Sequence, residues 1–153
     1  MGIFDLSFES EVSASPQKVW EWIISLKGIS SEMWPYFRMT APKGFESLEN
    51  LNIILGQPLF RSKVFLFGFL PIDYSDITLI EIEKGSGFVE KSPMGSMKLW
   101  RHERRIISTA SGCKIIDHLT FEPKMASQII GWFIRTVFQH RHKVLRKNLN
   151  KIA

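Results

Sequence analysis

Apolar and polar side chains alternate from residue 3 to residue 12. Phe4, Leu6, Phe8 and Val12 fall on one side and Asp5, Ser7, Glu9 and Glu11 on the other, which is the period of a half-buried strand. At Ala14-Ser15-Pro16 the period changes. Ser15 is placed to cap a helix and Pro16 to open it, where a missing N–H costs nothing, and Val19, Trp20, Ile23 and Ile24 follow at helical spacing. Gly28 is expected to end or bend that helix, with a second short one leading to Trp34. Residues 35–58 are mixed in character, with a turn at Pro42-Lys43-Gly44. From Leu59 onward strand patterns dominate. Stretches 59–67, 73–83, 87–92, 98–108 and 113–122 are separated by short Gly-, Pro- and Ser-containing turns, the signature of an antiparallel meander. Residues 124–150 then carry apolar groups at 130, 134, 137, 138, 145 and 149 with no proline, a helical stripe roughly 40 Å long at ~1.5 Å per residue.

A strand, a helical connection, a meander and one long helix make an α+β domain. The expectation is a curved antiparallel sheet of six to seven strands wrapped around the C-terminal helix, with residues 1–153 forming a single domain. Composition agrees: 153 residues with 44% apolar and 23% charged positions suit one globular core. The longest apolar run, Val64 to Ile72, is interrupted by Gly68 and Pro71 and is too short to span a bilayer. The first residues carry Asp5, Glu9 and Glu11 in place of a basic start and apolar core, so export is not expected. Met1-Gly2 is not followed by the Ser or Thr a myristoylation motif needs, since Leu6 stands there. A lone cysteine, Cys113, excludes an internal disulfide, and a reducing, cytoplasmic setting is expected.

The net charge of +5 is unevenly spread. From Pro123 on, Lys124, Arg135, Arg141, Lys143, Arg146, Lys147 and Lys151 meet no Asp or Glu. One reading is attraction to phosphate, on an anionic membrane or a nucleic acid; the plainer one is a solvated face whose cations complement the helix dipole. The lack of a glycine- or arginine-rich tract argues against nucleic acid.

The segment 98–107 carries the chemistry. A two- or four-residue turn centred on Ala110-Ser111 places Trp100 opposite Phe121, His102 opposite Leu119, Arg104 opposite Asp117 and Ile106 opposite Ile115. That face is the more apolar and is expected to be inward, which buries an Arg104–Asp117 pair and His102. Ionised groups cost several kcal/mol to bury unless paired or wet. Two readings stand: a satisfied internal ion pair, or the polar end of a cavity that orients a mostly apolar ligand. Neighbouring strands are expected to add Asp76 and Glu90, and the terminal helix Arg141, which falls on its apolar stripe. Trp34, Phe65, Phe67, Trp100 and Trp132 are the candidate walls.

The opening strand with Ala14-Ser15-Pro16-x-x-Val19-Trp20, then Trp100-x-His102-x-Arg104, Asp117 ahead of Phe121-x-Pro123, and Phe138-x-x-Arg141-x-x-x-Leu145 together resemble the START-like, birch-pollen-allergen-like superfamily. The branch it resembles is the bacterial one often labelled polyketide cyclase/dehydrase or SRPBCC. The resemblance spans essentially the whole chain. It implies a helix-grip fold, a hydrophobic cavity between sheet and C-terminal helix, and binding of lipids, sterols or polyketides, with catalysis in some branches only. Trp100, His102, Arg104, Asp117 and Arg141 are the residues it carries over.

Motifs for acyl-transfer serines, zincins, P-loops and dinucleotide folds are absent, so no cofactor is expected. His140-x-His142 is too close for one helical face to offer both imidazoles to a metal, and Cys113 is read as an inert thiol. The leading expectation is a binding protein for an apolar or amphipathic small molecule. Arg104, Arg141, Asp117 and His102 would fix its polar end, which two arginines would suit if anionic. The alternatives are a cyclase- or dehydratase-type enzyme with His102 as general acid or base, and a module docking on anionic membrane or a protein through its basic C-terminal helix.

Overall fold

The computed structural model describes residues 2–150, so Met1 and Lys151 lie outside the described residues. The order of elements is β1 (Phe4–Val12), α1 (Pro16–Ile23), α2 (Leu26–Met33), β2 (Phe37–Met39), a 3-10 turn at Leu48–Asn50, β3 (Pro58–Leu66), β4 (Leu70–Glu83), β5 (Gly87–Lys91), β6 (Met97–Thr109), β7 (Gly112–Pro123) and α3 (Ser127–Leu149). The strands form one curled antiparallel sheet in the order β1-β7-β6-β5-β4-β3-β2. The short edge strand β2, hidden in the mixed stretch after Trp34, is the element the sequence pattern does not disclose.

Ser15 caps α1 by accepting from the Lys18 N–H at 3.3 Å, and Val19, Trp20 and Ile23 drive the helix into the core. Gly28 does not end this helix; α1 stops at Ile23, and Gly28 sits inside α2. Ser25 explains the junction. Its hydroxyl donates to the Trp22 carbonyl at 2.8 Å and accepts from the Gly28 N–H at 2.9 Å, so α2 starts hard against the last turn of α1. A Cβ on Gly28 would stand 2.0 Å from the Trp22 carbonyl oxygen. Gly28→Ala is therefore expected to destabilise the protein by about 2–3 kcal/mol, lowering the thermal midpoint by several degrees; an unchanged melting curve would contradict this packing.

Register decides which residues look inward. β6 and β7 pair as the sequence pattern requires, Trp100 with Phe121, His102 with Leu119, Arg104 with Asp117 and Ile106 with Ile115, closed by the two-residue turn Ala110-Ser111. Phe88 and Glu90 of β5 pair with Arg104 and His102 and share their inner face. Strand β4 breaks its own alternation. Leu79 pairs with Glu90 and Ile82 with Phe88 across a bulge, so both point inward although three positions apart. Upstream of the bulge the inner residues are Ile77, Ser75 and Asp73. Asp76, expected inside by unbroken alternation from Ile82, instead faces outward and pairs with Arg61 at 2.8 and 3.1 Å.

The same correction applies to β3. Its inner positions are Phe60, Ser62, Val64 and Leu66. Phe65 lies on the outer face under the Arg38 guanidinium, 4.2 Å from its ring centre, and Phe67 sits exposed in the β3–β4 turn at a φ of 52°. The run Val64-Phe65-Leu66-Phe67 is apolar on both faces, and it is the alternation upstream, with Arg61 and Lys63 exposed and Ser62 and Val64 buried, that sets Phe65 outward.

Helix α3 covers 127–149 where 124–150 was expected, because Ala126 at a φ of 52° breaks the chain direction before it. Its inner stripe, Ile134, Val137, Phe138 and Leu145, is buried. Trp132, offset from that stripe, is turned to solvent. The basic residues of the last turn, Arg146 and Lys147, complement the helix dipole. One apolar cluster, including Val12, Trp20, Ile23, Ile115 and Leu145, fills the space around α1 and the end of α3; a second, including Leu6, Leu119, Phe121, Val137 and Phe138, lies under the middle of α3. Cys113 belongs to the first, its thiol donating to the Ala14 carbonyl at 3.3 Å and pushed up in pKa by burial. No helix among the described residues is long and apolar enough to cross a membrane.

Candidate functional site

Between the inner face of the sheet, α2 and α3 the side chains leave a cavity of about 1010 Å³. That is the size of a pocket for a molecule of many carbon atoms. Its walls are apolar, among them Phe37, Val64, Leu79, Phe88, Trp100 and Phe138. Glu90 of β5, His102 of β6 and Arg141 of α3 also reach its surface.

Behind these three stands a buried ionic cluster. Asp117 is fully buried and its carboxylate takes four donors. Arg104 Nε and His102 Nε2 approach one oxygen, each at 2.7 Å; Arg104 Nη2 at 2.8 Å and His142 Nε2 at 2.7 Å approach the other. Glu32 on α2, also fully buried, accepts from Arg104 Nη1 and Nη2 at 3.2 and 2.9 Å, Arg141 Nε at 3.0 Å and Trp22 Nε1 at 2.9 Å. Arg104 is thus a strut between two carboxylates.

The charges decide each group's state. Burial alone would raise the carboxyl pKa of Asp117, but the Arg104 guanidinium and His102 outweigh it and hold the group well below the usual range. Burial acts the same way on Glu32, and Arg104 with Arg141 brings it below its ordinary value. Burial raises Glu90 too, and the His102 contact and the Ser92 hydroxyl, 2.6 Å away, bring it down. For Arg104 the loss of water is offset by Asp117 and Glu32, and its pKa is raised. An ionised Asp117 can only accept, so both imidazoles present Nε2–H to it. Ser10 completes the chain: its hydroxyl donates to His142 Nδ1 at 2.7 Å and accepts from Arg146 Nη1 at 2.7 Å. His102 keeps its Nδ1 on the cavity side, 3.9 Å from Glu90.

Of the residues singled out from the sequence, Trp34, Glu90, Trp100, His102 and Arg141 line the cavity, Trp34 at its rim. Arg104 and Asp117 lie behind the wall, and their donors and acceptors are spent on each other and on Glu32, His102 and His142. Phe65, Phe67, Asp76 and Trp132 are not at the cavity. Glu32 and His142 are the members that the sequence reading missed. Two inward arginines facing one aspartate need a second carboxylate, and His142 lies four residues after Phe138 and three before Leu145 on the buried stripe; those were the available signals. His140 and His142 diverge, His140 donating to the Trp34 carbonyl at 2.6 Å. Among the described residues no group of three or more His, Cys, Asp or Glu is arranged to hold a metal ion.

With this geometry in hand, comparison with known proteins is informative about the fold. A protein-family model described as "Domain of unknown function (DUF8410)" matches residues 10–149. No curated protein matches the sequence. Among solved structures, protein CV1439 from Chromobacterium violaceum superposes with a TM-score of 0.73 at 10% identity over 97% of this chain and 99% of that one. The Zhui aromatase/cyclase from Streptomyces sp. R1128 gives 0.67 at 8% identity over 96% and 93%. A START superfamily protein from Mycobacterium smegmatis gives 0.62 at 8% identity over 96% of each chain. At these identities the likeness fixes the architecture: the chain has the START-type helix-grip fold.

Proposed function

Since the chain belongs to the DUF8410 family and has a START-type helix-grip fold, we propose that it binds or carries a hydrophobic or amphipathic small molecule in the cavity under α3. The observation that supports this most is the large, mainly apolar chamber into which Glu90, His102 and Arg141 project as neighbours. Arg141 spends only its Nε on Glu32 and rests on the Phe138 ring 4.7 Å away; among the described residues nothing accepts from its Nη groups. A ligand oxygen fits there.

The polar end of the ligand is uncharged in this reading. Two free arginines would have favoured an anionic head, but Arg104 is consumed by Asp117 and Glu32, and Glu90 stands beside Arg141 with its carboxyl kept low. A carbonyl oxygen on Arg141 and a hydroxyl donating to Glu90 use both groups without a further buried charge. The test is a pair of dansyl-labelled amphiphiles of equal chain length, one alcohol and one carboxylic acid. The alcohol is expected to bind at least as tightly as the acid. Ser75→Phe, which places a ring in the chamber, should abolish both, and Arg141→Met should weaken the alcohol about tenfold, the loss of roughly one charged hydrogen bond. Absence of binding, or binding indifferent to Ser75→Phe, would refute the reading.

A second reading rests on His102. Its ring is oriented by Asp117 through Nε2 while Nδ1 lies at the cavity wall, the arrangement of a carboxylate-positioned general acid or base. The solved neighbour named as an aromatase/cyclase makes polyketide chains the class to try first. Cyclisation of such a chain that survives His102→Gln at an unchanged rate would eliminate this reading and leave the carrier.

A further inference from the structure

Two of the cations at the basic C-terminal end of α3 are already engaged within the protein, Arg141 by Glu32 and Arg146 by Ser10, which leaves fewer free cations at that end. The opposite end of the molecule differs. Antiparallel order brings the α2–β2 link, the β3–β4 turn, the β5–β6 loop and the β7–α3 link to that one end of the sheet. Trp34 of the α2–β2 link, Met94 of the β5–β6 loop, Ile72 at the start of β4 and Ile130 and Phe133 in the first turns of α3 line the cavity, which reaches this end with the exposed Trp34 at its mouth.

Around the mouth large apolar side chains stand in solvent. Phe69 is 72% exposed on the β3–β4 turn, and Met125, Ile129 and Trp132 are 73%, 72% and 66% exposed on the β7–α3 link and the first turns of α3. Trp34 and Phe67 add exposed rings beside the turn. On one flank Arg38 Nε donates to the Gly68 carbonyl at 2.9 Å, and this flank is joined to α3 by His140, which donates to the Trp34 carbonyl at 2.6 Å, and by the Phe37 and Phe133 rings, 5.5 Å apart. Soluble surfaces rarely leave so many large apolar groups in one neighbourhood without a partner.

The charges nearby select the partner. Arg38, Lys98, Lys124 and Arg135 are exposed on these segments. The carboxylates close by are Asp73, turned onto the Ser96 hydroxyl and backbone, and the half-buried Glu122. Aromatic and aliphatic tips ringed by cations are the composition of a surface that sits in the headgroup layer of an anionic bilayer. We propose that the mouth end, through Phe69, Met125, Ile129 and Trp132 with Arg38 and Lys124, docks the protein on anionic membrane so that the cavity opens towards the lipid. The surface stands whatever the cavity holds.

Cosedimentation of the full chain with vesicles tests this. Binding to phosphatidylcholine vesicles containing phosphatidylglycerol is expected to exceed binding to phosphatidylcholine alone by about tenfold or more and to fall with added salt. Phe69→Asp combined with Trp132→Asp should remove it, and Lys124→Glu should weaken it, with melting temperature and circular dichroism unchanged because all three side chains are exposed. Any of three results overturns the proposal: no binding to anionic vesicles, binding that survives the double substitution but is lost in Lys143→Glu/Lys147→Glu, or a wild-type dimer that the double substitution splits, which would make a second copy the occupant. The dansyl probes report on the cavity of the same double variant, so loss of docking and loss of ligand binding are read separately.

Discussion

Glu32→Ala is expected to destabilise the protein by about 3–5 kcal/mol, the cost of leaving buried cations without their carboxylate. Glu32 is fully buried and joins α2 to β6 and α3 through Arg104 and Arg141, with Trp22 as a further donor. Removing it leaves Arg141 without a protein acceptor and Arg104 with Asp117 alone. Domains of this size have about 5–15 kcal/mol in total, so the variant gives up from roughly a fifth to all of that margin. A lowering of the thermal midpoint by roughly 6–20 °C follows at ~2–4 °C per kcal/mol. A shift of a degree or two would mean that Glu32 is open to water and that the cluster is not the closed unit its hydrogen bonds describe.

Acid should unfold the protein steeply, and the cluster should account for it. Burial opposes ionisation of Asp117, Glu32 and Glu90, yet Arg104, Arg141 and His102 bring all three below their ordinary values. In the unfolded chain they return to about 3.9 for Asp and 4.3 for Glu. Their contribution to stability is therefore complete above that range and is lost as pH falls through the depressed native values, because the unfolded state then binds more protons. With three such groups the slope approaches ~4 kcal/mol per pH unit where all three differ. Urea unfolding midpoints measured from pH 6 to pH 3 are expected to hold nearly level at first and then drop sharply below about pH 4.5. Asp117→Asn should lower stability at neutral pH and make the acid limb shallower. A limb of equal steepness in Asp117→Asn would show that other carboxylates drive acid unfolding.

Much of this architecture is legible in the chain because it rests on local periodicity. The β6–β7 register follows from alternation and a short turn, and it alone puts Arg104 opposite Asp117 and His102 on the inner face. The α1 cap follows from Ser15-Pro16, and Arg141 is visible as a charge on an apolar stripe. What alternation misplaces has a physical reason. A bulge in β4 slides Asp76 to the outer face, whereas Phe65 follows the parity of the exposed Arg61 and Lys63 and Phe67 falls in the turn beyond β3. Trp132 is a candidate by residue type alone, and its helical angle sets it off the buried stripe. Glu32 escapes because its two arginine partners lie 72 and 109 residues away, and nothing near it in sequence reports them. The same cluster narrows the chemistry. Of the two arginines credited with holding a ligand, one is a structural strut and one has open donors.

Native mass spectrometry of the gently purified protein weighs the central claim most directly. The account predicts a bound species of a few hundred daltons on wild type, soluble in organic solvent and bearing carbonyl or hydroxyl oxygen, which is depleted in Arg141→Met and absent from Ser75→Phe. A bare polypeptide mass for wild type, together with no uptake of either dansyl amphiphile, would contradict it.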